Sequence, residues 1–124
     1  MKIILSIKPK YVKEIFEGNK LYEYRKSIFK RDVDTVIIYA SSPVSMIVGE
    51  FNVDDILSGT PEYLWSMTRL NSGIDKSFYD DYFNNKEIAY AIKISEVKKY
   101  TTPYKLASLC PNSRPPQSFM YYDL

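Results

Sequence analysis

The ten residues Glu17–Lys26, "EGNKLYEYRK", decide how the chain is read. Gly18 closes a run with helical periodicity. Lys20, Glu23 and Arg25 then follow at once, interleaved with Leu21, Tyr22 and Tyr24. Charges mixed with aromatic and apolar residues predict a strand, so a helix passes into a strand here. Glu23 and Arg25 are two apart and share one strand face. They read either as a surface ion pair worth about 0–1 kcal/mol or as one wall of a site. In the second case Glu23 holds the Arg25 fork toward a phosphate or a base edge. Lys20 either offsets the negative end of the helix or supplies a point charge for phosphate. If desolvated, it is instead a base with a lowered pKa.

Upstream, "KIILSIK" reads as a strand. Pro9 suits a first helical turn, and Val12, Ile15 and Phe16 form the stripe by which that helix is expected to pack. Lys8, at the junction, is a second phosphate candidate or a solvated lysine. Downstream, "SIFKRDVD" is a polar connector and "TVIIYASS" a buried strand ended by Pro43. Ser41 and Ser42 either satisfy the turn backbone or donate to a ligand oxygen. "SMIVGEFNVDDIL" is another strand, with Gly49 marking a bulge or a close backbone approach. Glu50 within it either faces solvent or faces a cleft with a raised pKa; in a cleft it is a general base beside Glu23.

Thr60 and Pro61 open a helix with Tyr63, Leu64 and Met67 on one face. "IDKSFYDDYFNNKE" forms another, with Phe78, Tyr82 and Phe83 as its apolar side. "IAYAIKISEVKKY" alternates as a long strand. "TTPYKLASL" holds a short helical turn. The proline-rich stretch after it carries Arg114, Gln117 and Ser118 into a closing aromatic strand. Aromatics beside donors there either stack a base and read its edge, or place Phe119 and Tyr121 in the core. This order predicts an α+β domain over residues 1–124. Its mainly antiparallel sheet of five to six strands curls into a barrel, with about three to four flanking helices.

Composition removes several chemistries. The 124 residues suit one domain. There is no histidine, which excludes Ser–His and Cys–His pairs and His-ligated metals. The single cysteine, Cys110, leaves no internal disulfide and no Cys-rich zinc site. No metal or cofactor is expected. The net charge of +2 makes any nucleic-acid contact a local patch. The N-terminal apolar run is too short for a membrane span or a signal core, so a cytoplasmic protein is expected.

The element order, together with "GNKLYEYR", resembles the ASCH domain family of the PUA-like superfamily. Its motif G-x-K-x-x-E-x-R is met by Gly18, Lys20, Glu23 and Arg25. "SIKPKYVKEIFEGNK", "VIIYASSPV", "VGEF" and "RPPQSF" look like one branch of it, predicted transcriptional regulators with PUA-like domains. The resemblance implies a pseudobarrel with a cleft beside the first helix. It also implies recognition of nucleic acid, RNA favoured, as a single-stranded or flipped, modified nucleotide. The candidate binding residues are then Lys8, Lys20, Glu23, Arg25, Ser41, Ser42, Gln117 and Ser118. Some relatives are enzymes, which implies as an alternative an amidohydrolase on a modified nucleoside, or a ribonuclease, using Lys20 with Glu23 or Glu50. In the amidohydrolase group a threonine nucleophile follows the lysine by three residues; Glu23 stands there in this chain. A further alternative is a regulatory adaptor that binds a protein or small molecule.

Overall fold

A computed structural model describes residues 1–122. Asp123 and Leu124, the end of the expected domain, lie outside the described residues. The elements are β1 (Lys2–Ile7), α1 (Pro9–Phe16), β2 (Tyr22–Arg25), β3 (Thr35–Ala40) and β4 (Met46–Gly59). Then come α2 (Pro61–Thr68), a 3₁₀ turn (Arg69–Asn71), α3 (Lys76–Tyr82), β5 (Ala89–Tyr104), α4 (Leu106–Leu109) and β6 (Phe119–Tyr122). The six strands form one curled sheet in the order β2-β5-β4-β3-β1-β6. Its pairings are antiparallel except β1 with β3, which is parallel. A parallel pair needs a long crossover; α1, β2 and the loop after it supply it.

The expected stripe on α1 is the one buried. Val12 and Ile15 pack with Ile3, Leu5, Val36, Ile38 and Phe51, and Phe16 packs against the margin of the same cluster. Gly49 lets α1 and β5 approach: a Cβ there would stand 2.5 Å from the Lys98 carbonyl oxygen and 2.8 Å from the Phe16 ring. The β3–β4 register also shifts beside it, so bulge and close approach coincide. Every residue of β3 is buried, because Ile37 and Tyr39 enter a second cluster on the other side with Ile4, Ile47 and Leu106. Phe119 and Tyr121 are half-buried against the α1 side.

The helices between β4 and β5 pack differently from expectation. Thr60 caps α2 by accepting from the Tyr63 backbone N–H, but Tyr63 and Met67 are exposed and Leu64 is the buried residue. Tyr79 of α3 and Phe83 at its C-terminal cap enter the core beside Tyr24, Ala89 and Ala91. Phe78 and Tyr82 lie one step round and are only partly covered. Among the described residues no helix is long and apolar enough to cross a membrane.

Candidate functional site

The sheet's edge strands are β2 and β6. Between them, beside α1, opens a cleft of about 690 Å³. That volume suits a small-molecule or nucleotide site. β2 carries Glu23 and Arg25 into it as residues of one strand face. Glu23 is buried, with its side chain 8% exposed. Its Oε1 lies 3.8 Å from Lys20 Nζ and its Oε2 lies 3.7 Å from an Arg25 terminal nitrogen. These distances give strong attraction but are too long for hydrogen bonds.

Lys20 is more deeply held than a residue after a helix end normally is; its side chain is 1% exposed. Its ammonium donates to the Ser72 carbonyl at 3.0 Å and lies over the rings of Tyr24 and Tyr11, 4.8 and 5.5 Å from their centroids. The 72–74 loop closes over it at Gly73, whose φ is +68° and where a Cβ would stand 2.4 Å from the Lys20 Cβ. Lys20 is therefore not an exposed phosphate ligand. It is the buried countercharge of Glu23. Burial pulls its pKa down, opposed by Glu23. Burial pushes Glu23 up, opposed by Lys20 and Arg25.

Arg25 bridges the open seam. One terminal nitrogen donates to the Ser118 hydroxyl just before β6. Its Nε is closed off with no hydrogen-bond partner among the described residues. Ser118 is fixed further by its carbonyl, which accepts from the Ser6 N–H at 3.1 Å. Gln117 lies on the same wall. Ser41 and Ser42 line the opposite rim, in the turn after β3. Lys8 stands at the mouth, its ammonium 5.3 Å from the Phe78 ring centroid. The structure thus gathers Lys8, Lys20, Glu23, Arg25, Ser41, Ser42, Gln117 and Ser118 around one cavity.

Glu50 is the exception. It pairs with Ile37 and accepts from the Tyr100 hydroxyl at 2.7 Å, with the Ile4–Ile37–Tyr39 cluster and not in the cleft. It is not among the residues that line the cleft with Lys20, as a general base there would be. The sequence did not single out the aromatics that line the cleft: Tyr11, Tyr39, Phe78 and Tyr82. Tyr11 is one position before the α1 stripe and Tyr39 sits in a strand read as wholly core, so neither carried a separate signal. Lys26, adjacent to the motif, also lines the cleft and lies over Tyr82 at 4.6 Å.

A curled six-stranded mixed sheet with four helices is the architecture of the PUA-like class. Within it the chain belongs to the ASCH domain family, whose model matches residues 5–98. The crystal structure of ASCH from Zymomonas mobilis superposes with a TM-score of 0.91 at 27% identity, covering 98% of this chain and 87% of that one. A curated Zymomonas mobilis protein, "ASCH domain-containing ribonuclease", is 28% identical over 121 residues, or 95% of this chain and 82% of the relative. The ATP synthase subunit alpha of Ureaplasma parvum is 33% identical over 120 residues, 96% of this chain. The chain spans only 15% of that protein's length.

Proposed function

We propose that residues 1–124 act as one nucleic-acid-binding domain that holds a single-stranded or splayed-out RNA nucleotide in the cleft between β2 and β6. The observation that carries this reading is the lining. Exposed cations, Lys8 and Lys26, share the cleft with aromatic side chains and with buried Glu23 paired to half-buried Arg25. Phosphate, base face and base edge each have a matching partner in that order. The net charge of +2 agrees with a compact site that makes few phosphate contacts.

Titration of short single-stranded RNA and DNA at two salt concentrations tests it. Arg25→Ala is expected to weaken RNA binding by about 1–3 kcal/mol. Lys8→Ala is expected to lower the salt slope by about 0.7. Both variants binding as wild type would place the site elsewhere.

A second reading, cleavage of RNA in the same cleft, is favoured by the likeness to the Zymomonas protein named a ribonuclease. Glu23, raised by burial, is then the base of choice. Cleavage of a labelled RNA that is lost in Glu23→Gln, with binding retained, would support it. Hydrolysis of N4-acetylcytidine is not expected. Carboxylate attack on the amide would give a mixed anhydride, itself an activated acyl compound. Chromatography showing prompt release of cytidine would overturn that expectation.

A further inference from the structure

The motif residues suggest more than a nucleotide in general. Glu23 is more than nine-tenths buried, lines the cleft, and has Lys20 and Arg25 no nearer than 3.8 and 3.7 Å from its oxygens, beyond hydrogen-bond distance. The Arg25 terminal nitrogen nearest to it is likewise without a hydrogen bond; the other one holds Ser118. Lys20 cannot take part directly, because it is enclosed by the Ser72 carbonyl and two tyrosine rings. What remains open toward the cleft is a row of three: a donor on Arg25, then Oε2 and Oε1 of Glu23 as acceptors.

Resting on the reading of the cleft as a nucleotide site, the geometry points to guanine as the base that it selects. The Watson–Crick edge of guanine reads acceptor, donor, donor: O6, N1–H and N2–H. Set against Glu23, N1–H meets Oε2, N2–H meets Oε1, and O6 falls beside Arg25. Two parallel N–H donors on a carboxylate fork are the arrangement that makes bidentate pairs specific. Adenine offers donor then acceptor, so its N1 lone pair opposes a carboxylate oxygen. Cytosine offers donor, acceptor, acceptor and mismatches throughout. Uracil matches at O4 and N3–H but sets its O2 against Oε1. Hypoxanthine keeps O6 and N1–H and loses only N2–H. A buried carboxylate facing an acceptor is left unpaired, which makes the rejection strong. Tyr11, Phe78 and Tyr82 border the cleft, and Lys8 and Lys26, whose ammoniums lie over the Phe78 and Tyr82 rings, are the exposed cations available to flanking phosphates.

Calorimetric titration of the full chain with the trinucleotides U-G-U, U-I-U, U-U-U and U-A-U decides the matter. The expected order is U-G-U tightest, by roughly ten- to a hundredfold over U-A-U, with U-I-U and U-U-U between. In Glu23→Gln the preference should collapse while U-A-U binds no worse, since an amide keeps one acceptor and adds a donor. U-A-U binding as tightly as U-G-U would overturn the guanine assignment and leave the cleft reading standing. No binding by any of the four would overturn both. The wild-type ranking alone is sufficient if the variant fails to fold.

Discussion

Lys20 and Glu23 face each other where little water reaches either, and each is buried only because the other is. Ion pairs of this kind add little net stability when intact, yet removing one member leaves an uncompensated buried charge. Lys20→Met is therefore expected to lower unfolding free energy by about 3 kcal/mol, read by chemical denaturation. Adding Glu23→Gln should restore part of that loss, so the double-mutant cycle shows coupling. Equal stabilities for wild type and Lys20→Met would mean that the pair is solvated. The spacing of these charges was legible in the sequence and their burial was not. Charges interleaved with tyrosines on a short strand look the same whether solvated or covered. Beyond the nearby Tyr24 and Tyr11 rings, what covers Lys20 is the loop with the Ser72 carbonyl, 52 positions away, and no local pattern announces it.

At the scale of elements, α1 could be read in advance because its three apolar residues occupy a single stripe on a polar helix. α2 and α3 could not. Aromatic residues occupy adjacent positions on α3 and at its C-terminal cap, Phe78 with Tyr79 and Tyr82 with Phe83, so spacing does not say which pair turns inward. Tyr79 and Phe83 do, meeting Tyr24 edge-on. Tyr24 is anchored through Thr68 at 2.7 Å. The Thr68 proton goes to the Leu64 carbonyl, so Tyr24 donates. Burial pushes the Tyr24 phenol up to about 12. In the unfolded chain it ionises near the ordinary value of about 10. Its contribution is therefore complete below pH ~10 and is lost as pH rises toward 12. Stability should fall more steeply between pH 10 and 12 in wild type than in Tyr24→Phe, by denaturant melts at matched ionic strength; parallel curves would contradict the burial argument. Gly49→Ala tests the contact of α1, β4 and β5. A methyl 2.5 Å from a backbone oxygen cannot be relieved by a rotamer change, and a loss of about 1–3 kcal/mol is expected. A melting temperature equal to wild type would show that the strands can shift to admit it.

Over the whole molecule, the sheet curls without closing: no β2–β6 pairing joins its two edges among the described residues. The sequence could foretell a barrel-like count of strands, but not that the last strand joins β1 and leaves this seam, because the β1–β6 register is set by contacts more than a hundred residues apart. The gap is spanned by side chains: Arg25 reaches from β2 to Ser118 at the foot of β6, and Ser6 of β1 ties down Pro116 and Ser118 behind it. Edges are where strands open most readily; here β2 lines the cleft itself, and β6 begins directly after the cleft wall at 115–118. A ligand touching Arg25 on one side and the 115–118 wall on the other replaces the missing pairing with contacts of its own. Amide hydrogen exchange should then slow in β2 and β6 when a bound RNA fills the cleft, while β3 and β4, already central, change little. Arg25→Ala should speed exchange at both edges without ligand and abolish the slowing with it. Protection confined to the lysines at the mouth, with β2 and β6 exchanging as before, would show that nucleic acid rests on the rim and does not enter the seam.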